Sequence, residues 1–196
     1  MTTDIPRPRG RPRRFDLDQA VATAQRLFHA RGYDAVSIAD ITDAIGINPP
    51  SFYAAFGTKA DLYARVLERY AGTDAIPLHA LLLSDRPVSE CLMAVLEEAA
   101  RRYAAVPGAA GCLVLEGTHC NDTTAHTAAC AAHAAAEDMV RRYIAARHPG
   151  YAGHLTDFVS TTMAGLSAQS RNGHSLDRLL ATARLAGLAV AQALSV

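Results

Sequence analysis

The sequence predicts an all-α protein, and three observations lead to this fold class. Half of the 196 residues are hydrophobic, yet only 6% are aromatic and none is tryptophan. Alanine, the residue with the highest helix propensity, is abundant. Apolar residues recur at intervals of three and four, the period of an amphipathic helix. A chain of this length can bury a sizeable core in one large domain or two small ones.

The first helix is predicted in the stretch FDLDQAVATAQRLFHARGY. Asp16 or Asp18 suits the positive end of the helix dipole, and Gly32 suits the C-terminal cap. Its predicted inward face consists of Leu17, Ala20, Val21, Ala24, Leu27 and Phe28.

A second, short helix is predicted in SIADITDAIGI, with Ser37 as N-cap. Asp40 stands at the third helical position, where a capping box usually has glutamate. Gly46 ends this helix. Its predicted inward face consists of Ile38, Ile41, Ala44 and Ile45.

The third helix is predicted in GINPPSFYAAFGTKADLY. Asn48 is a favourable N-cap, and proline is favoured at the first helical position because its missing N–H would lack an intrahelical partner there. Pro49 and Pro50 therefore begin a helix, which Gly57 ends after about two turns. A fourth helix is predicted from Lys59 to about Tyr70, capped by Thr58.

Two short helices joined by a tight glycine turn are typical of a helix-turn-helix unit, whose second helix enters the DNA major groove N-terminus first. Pro49, Pro50 and Ser51 are therefore predicted to face base edges, and Asn48 to contact a base or a phosphate. Helix initiation alone is the alternative explanation for the prolines.

Three further residues are predicted to lie near DNA phosphates. The Tyr53 hydroxyl is one turn along the recognition helix, although a core aromatic is the alternative reading. Lys59, beside Thr58, and Ser37 begin other helices, where backbone N–H groups favour an anion. Phe52 and Phe56, four residues apart, are predicted to hold the helix from behind.

Positive charge is concentrated in residues 1–14, which carry five arginines and one acid although the whole chain has no net charge. This Pro/Gly-rich segment cannot fold alone. Arg11, Arg13 and Arg14 are predicted to enter a minor groove, as short basic arms do. A solvated tail is the alternative.

Longer, alanine-rich helices are predicted beyond residue 71, over 89–105, 122–147, 153–171 and 175–194, with a short apolar segment near 111–117. The apolar stripes of the last two helices exceed the needs of one core. They predict a four-helix homodimer interface through about 153–194. Gly165 and Gly187 are expected to allow its close approach.

Residues 9–70 resemble the TetR family of bacterial transcriptional regulators. The resemblance lies in RGRPRRFD and in the pattern A…LF…GY…SI.DI..A.GIN..S.Y..F..K..L. The segment GCLVLEGTHC resembles members of the AcrR-like branch, in which a Gly-Cys opens a short helix.

The resemblance implies three parts. Residues 1–14 would be a flexible basic arm, 15–58 a three-helix DNA-binding domain, and 59–196 a connecting helix with a ligand-binding and dimerisation domain. The protein would be a dimeric repressor that a small-molecule effector releases from a palindromic operator in double-stranded DNA.

An effector pocket is predicted among helices 89–105, 111–117 and 122–147. Its candidate residues are Cys112, Leu115, Cys120, His126, Cys130 and His133. The alternatives are a thiol sensor using Cys112 and Cys120, or a metal site on the helical face that carries His126, Cys130, His133 and Glu137.

An enzyme is the contrasting class, but the sequence has no nucleophile–base motif, phosphate loop or HExxH. A DNA-binding architectural protein without an effector is a third class. No cofactor is expected. The absence of an apolar run long enough to cross a bilayer and of a secretory signal predicts a cytoplasmic protein with no membrane partner and free thiols.

Overall fold

The computed structural model describes residues 16–106 and 108–195, and throughout these residues the regular structure is helical. The predicted arm, with Arg11, Arg13 and Arg14, lies outside the described residues. A 3-10 turn at Pro149–Tyr151 precedes the ninth helix. The α-helices are α1 (Leu17–Arg31), α2 (Ile38–Ile45), α3 (Pro49–Phe56), α4 (Lys59–Thr73), α5 (Leu78–Leu81), α6 (Val88–Ala104), α7 (Leu113–Gly117), α8 (Thr123–Ala145), α9 (Ala152–Arg171) and α10 (Leu176–Ala193).

The predicted N-terminal caps of α2, α3 and α4 are present, and α1 is capped by Asp16, one of the two acids expected at its positive end. Asp16 accepts from the backbone N–H groups of Asp18 and Gln19. Ser37 and Asp40 form a reciprocal capping box at α2, and Thr58 and Asp61 form another at α4. The Asn48 side chain accepts from the Ser51 N–H at 2.9 Å. These bonds satisfy backbone donors that a helix leaves without intrahelical partners.

Several details of the predicted elements are corrected. The four-residue helix α5 was not predicted, because a single turn is too short to show helical periodicity. Helix α4 continues to Thr73. Leu17 and Ala44 are exposed, not inward-facing, because they lie at the margins of the buried stripes of α1 and α2.

The N-terminal helices and part of the C-terminal region share one core. Phe28, Phe52 and Tyr63 are buried in it together with Leu113 of α7 and Ala129 of α8. Gly117 permits this packing, because a Cβ there would lie 2.3 Å from the Tyr63 hydroxyl. Helix α4 and the α7–α8 segment therefore fix the position of α1, α2 and α3 relative to the rest of the chain.

The second core lies between α6, α9, α10 and the end of α8. Helix α10 reaches α6 at Gly187, where a Cβ would stand 2.7 Å from Met93. The predicted role of Gly187 at a dimer interface is therefore wrong, because this glycine allows close packing within the chain. Gly165 is different: it is exposed, and no described neighbour lies within 4 Å of a Cβ placed there.

Candidate DNA-binding surface and effector cavity

The leading end of α3 projects from the surface. Phe52 and Phe56 are buried, with ring centroids 5.5 Å apart, and they anchor the helix to the core. Tyr53 lies on the other side and is 54% exposed. The exposed residues at the start of the helix are Asn48, Pro49, Pro50 and Ser51. A rigid, small-residue helix end with one tyrosine beside it is thus open to an approaching DNA groove.

Ser37 is exposed at the start of α2, but its hydroxyl is already engaged. It donates to Asp40 at 2.6 Å, and Arg31 lies 3.0 Å from the same carboxylate. The Ser37 hydroxyl and the Arg31 guanidinium hold the pKa of Asp40 well below its usual range. A phosphate at the start of α2 would therefore be bound by backbone N–H groups, or by the Ser37 hydroxyl after it has turned away from Asp40.

Lys59 is the only lysine in the sequence, and its ammonium group is turned toward the protein. The Lys59 Nζ donates to the Tyr33 and Val36 carbonyl oxygens at 3.1 and 3.0 Å. It also lies 3.9 Å from the centroid of the Tyr33 ring. The ammonium therefore ties α4 to the loop between α1 and α2, a structural role that sequence reasoning missed.

A cavity of about 290 Å³ opens between α4 and α9. Cys112, Leu115 and His133 line it, as predicted residues of the pocket. Cys120, His126 and Cys130 lie outside its lining. Sequence reasoning missed the walls contributed by α4, α5 and α9, because these residues come together only through tertiary packing; they include Tyr70, Ile76, Leu78, Thr156, Val159, Ser160 and Met163.

The polar groups of the cavity form an outer and an inner set. In the outer set, Glu137 accepts from Ser160 and lies 3.3 Å from the His133 Nε2. In the inner set, the Tyr70 hydroxyl donates to the Cys112 sulfur at 3.7 Å. Burial raises the pKa of the Tyr70 phenol, so this group is a neutral donor at physiological pH.

The four residues of the alternative metal site do not converge. His126 contacts Cys130, and His133 pairs with Glu137, but no group of three potential ligands forms within residues 16–106 and 108–195. The physical reason is length: eleven residues of helix extend about 16 Å. Sharing a helical face therefore does not bring these residues to one ion.

The structure does not favour the thiol-sensor alternative either. All four cysteines are free. Burial, followed by the nearby Asp34 carboxylate, raises the pKa of the Cys120 thiol. A reactive cysteine needs the opposite shift, because the thiolate is the nucleophile.

Apolar side chains are exposed in a groove between α9 and α10. Phe158 is 40% exposed, and Leu185 is 69% exposed. Gly165 lies in the same groove. Leu188, on α10 near this groove, is 61% exposed. Large apolar side chains exposed on two adjacent helices are typical of a protein–protein contact.

Several polar contacts link the α1–α4 region to the segment around α7. The Tyr33 hydroxyl donates to Asp122 at 3.0 Å, and the Asn121 side chain donates to Asp34 at 2.8 Å. Tyr63 donates to the Leu113 carbonyl, and the His29 Nε2 lies 3.0 Å from the Gly111 carbonyl. Since Cys112 and Leu115 line the cavity, these contacts connect the cavity wall to the helix-turn-helix unit.

An exposed recognition helix, attached to a helical body that contains an apolar cavity, defines a DNA-binding transcriptional regulator. Residues 20–66 match the family described as bacterial regulatory proteins, tetR family. The chain is 57% identical over 181 residues to the HTH-type transcriptional repressor BdcR of Escherichia coli (strain K12), covering 92% of each chain. The chain belongs to the tetR family. The finer resemblance to the AcrR-like branch stays a prediction.

Two further proteins that are similar to this chain are also transcriptional regulators. The HTH-type transcriptional repressor ComR of Escherichia coli (strain K12) is 30% identical over 197 residues, covering 92% of this chain and 93% of ComR. A cysteine-substituted CifR bound to 26-bp double-strand operator DNA superposes with a TM-score of 0.81 at 30% identity, covering 91% of this chain and 99% of CifR. Within the described residues, no helix combines the length and apolarity needed to cross a bilayer.

Proposed function

We propose that this protein is a homodimeric repressor that binds a palindromic operator and is released from it by a small organic effector. The observation that carries the proposal is the outward-facing start of α3, held by the buried Phe52 and Phe56. The relatives BdcR and ComR are named transcriptional repressors, and CifR is described with operator DNA, which supports the same role here.

The proposed DNA contacts divide into base and phosphate contacts. Pro49, Pro50 and Ser51 face base edges, and Asn48 faces a base or a phosphate. Tyr53 contacts a phosphate, as do the starts of α2 and α4 at Ser37 and Lys59. Arg11, Arg13 and Arg14 of the arm enter a minor groove. Base contacts would set the sequence preference, and phosphate contacts would fix the docking position.

Two copies of the chain would assemble through α9 and α10. The exposed Phe158, Leu185 and Leu188 would be covered by their counterparts in a four-helix contact. A two-fold dimer of this kind presents two recognition helices, and its half-sites should be separated by about a whole number of DNA turns. In this arrangement residues 15–58 form the DNA-binding domain, and residues 59–196 connect, dimerise and bind effector.

The effector would bind in the cavity between α4 and α9. The ligand must prefer the conformation that does not bind DNA, since only differential affinity shifts a population. The bonds from Tyr33, Asp34 and Tyr63 to the α7–α8 segment give such a shift a direct route to the DNA-binding helices. We expect no chemical turnover of the effector, and a gene regulator of this kind would work in the cytoplasm.

The test is a selection of operator sequences by the full chain, followed by affinity measurements. Tyr53→Phe should weaken binding about ten- to hundredfold on the selected operator and on unrelated DNA alike, because a hydrogen bond to a charged phosphate is lost. Tyr151→Phe, an exposed tyrosine on the distant 3-10 turn, is the matched control. Equal affinity of the Tyr53 variant and the parent would contradict this docking.

A second measurement separates an organic effector from a thiol signal. A variant with Cys91, Cys112, Cys120 and Cys130 changed to Ser should still be released from the operator by an apolar compound. Release by zinc, copper or an electrophile, abolished in that variant, would contradict the proposed signal.

A further inference from the structure

Two residues that line the cavity carry a buried hydroxyl group with no hydrogen-bond partner in the part of the chain that the structure describes. Tyr103, near the end of α6, is only 1% exposed, and its hydroxyl is unpartnered in the described structure although the Cys112 thiol lies nearby. Burial raises the pKa of this phenol well above its usual value, so the hydroxyl keeps its proton. A buried donor without an acceptor is unfavourable, so a ligand that supplies an acceptor would relieve this deficit.

Thr156, on α9, presents the second hydroxyl. It is 5% exposed and unpartnered in the described structure, although a helical threonine often donates to the carbonyl four residues earlier. Both side chains line the same cavity. Hydroxyl groups left without partners in a cavity wall indicate a place for ligand polarity.

The charge of the lining restricts the ligand further. Among the described residues, Glu137 is the only Asp, Glu, Lys or Arg side chain that lines the cavity. Its carboxylate already interacts with His133 and Ser160. An anion would meet this like charge and, among the described lining residues, no Lys or Arg side chain. The basic groups there are the imidazoles of His79 and His133, and His133 already faces Glu137, so burial of an anion is disfavoured. An ammonium group would have to compete with the two existing partners of Glu137.

The volume and the apolar lining of the cavity restrict the size and polarity of the ligand. A volume of 290 Å³ corresponds to about ten liquid water molecules, so a ligand of roughly ten non-hydrogen atoms fits. The cavity has an apolar wall, which favours a ligand with an apolar body over a polar one. This wall consists of Ala132, Ala136, Val140, Val159 and Met163.

We infer that the cavity binds an uncharged, mainly apolar molecule of roughly ten non-hydrogen atoms through one acceptor oxygen, which receives a hydrogen bond from the Tyr103 hydroxyl. Thr156 supplies the second polar contact. This inference rests on the proposed function in taking the cavity as the effector site, and it specifies the chemistry of the effector: a ketone, aldehyde or ether, and not an acid or an amine.

The experiment compares four probes of similar size by calorimetric titration of the full chain without DNA. The probes are acetophenone, ethylbenzene, benzoate and phenethylammonium. Acetophenone should bind most tightly. Tyr103→Phe should reduce its affinity relative to ethylbenzene roughly three- to tenfold, as expected for loss of one neutral hydrogen bond. Tyr143→Phe, whose hydroxyl bonds to the Leu83 carbonyl outside the cavity, should leave that ratio unchanged.

The melting temperature of the ligand-free variant shows whether Tyr103 acts on the ligand or only on the stability of the fold. Because the Tyr103 hydroxyl has no hydrogen-bond partner within residues 16–106 and 108–195, Tyr103→Phe without ligand should melt at the parent's temperature or higher. Thr156→Val provides an independent variant and should also reduce the acetophenone-to-ethylbenzene ratio. An unchanged ratio in both variants, tighter binding of benzoate or phenethylammonium, or no binding of acetophenone would overturn the inference.

The outcome is distinguishable from failure of the proposed function. Acetophenone that binds as described but leaves the operator complex intact would support the cavity chemistry and contradict the effector role. Operator binding by a chain that ignores acetophenone would support the repressor and overturn the cavity chemistry.

Discussion

At the scale of single residues, Lys59 is a proposed DNA contact whose ammonium group is already bonded inside the protein. Its ammonium bonds to the Tyr33 and Val36 carbonyls, while its backbone begins α4. Lys59→Met should therefore lower the free energy of unfolding by about 1–3 kcal/mol, because two partly buried carbonyls lose their donor. Urea denaturation measures this loss.

The control for Lys59 is Ser51→Ala, at an exposed position of α3, which should unfold like the parent. DNA affinity, measured separately, tells the two roles apart. Lys59→Met could instead be as stable as the parent and bind all DNA sequences more weakly. That result would mean that the ammonium group contacts a phosphate and that its bonds to the Tyr33 and Val36 carbonyls contribute little to stability.

Asp122 is a second residue with two functions, since it caps α8 and accepts from Tyr33. The Ala125 N–H and, more weakly, the Tyr33 hydroxyl lower the pKa of its carboxyl group. The folded state thus favours the ionised form. Its contribution to stability is present above about pH 4 and is lost as the pH falls through the lower folded value.

Asp122→Asn should therefore flatten the dependence of unfolding free energy on pH below about pH 4, while keeping a side chain that can cap the helix. Tyr33→Phe should remove only the smaller part of this dependence. Acid titration of the melting temperature tests both variants. An identical pH profile for parent and Asp122→Asn would show that the carboxylate is not stabilised by folding.

At the scale of elements, the sequence predicted best what local chemistry determines. Asn48, Pro49 and Gly57 define α3 by capping and backbone preference, and the structure has its bounds as expected. The predicted bounds of the long helices beyond residue 71 agree with α6, α8, α9 and α10 to within two residues, whereas α4 extends three residues past its predicted end. The cavity was predicted only in part, because Thr156 and Tyr70 approach Cys112 from distant segments. Periodicity shows which face of a helix is apolar, but not which helix covers it.

Gly187 is a second case in which the sequence did not show which helix packs against a given face. Its contact with Met93 leads to a prediction about the packing of α10 on α6. Gly187→Ala would place a Cβ 2.7 Å from Met93 Cγ and Cε and 2.9 Å from its Cβ, so α10 would have to move away from α6. We expect a loss of about 1–3 kcal/mol in unfolding free energy. Gly153→Ala, in α9 with no described neighbour within 4 Å, should be neutral or stabilising by up to about 1 kcal/mol.

Urea denaturation at one fixed protein concentration compares these glycine variants. The double change Gly187→Ala with Met93→Ala should recover part of the loss, since it removes the Cγ and Cε atoms that the new Cβ meets and leaves only the Met93 Cβ contact at 2.9 Å. If Gly187→Ala proves as stable as Gly153→Ala, the two helices are less tightly packed than this contact indicates.

At the scale of the whole molecule, the α7–α8 segment belongs to both halves. Leu113 and Ala129 pack in the core of the DNA-binding helices, while Leu115 and Ala132 line the cavity. A ligand that moves this wall must therefore also strain the contacts at Tyr33, Asp34 and Tyr63. In the proposed repressor, two such molecules would act together on a palindrome, and the dimer contact would then be part of the mechanism.

The dimer is tested by placing charge on the exposed face of α10. Leu185→Glu with Leu188→Glu should leave the monomer fold intact, because both side chains are 61–69% exposed. The dimer dissociation constant should rise by roughly a thousandfold or more, since four leucine side chains lose their apolar partners and carboxylates enter the contact. Sedimentation velocity should show a monomer at micromolar concentration, and affinity for the full palindrome should fall toward that for a half-site. Leu83→Glu, before α6, should sediment like the parent. A double variant that remains dimeric would place the dimer contact on a different surface.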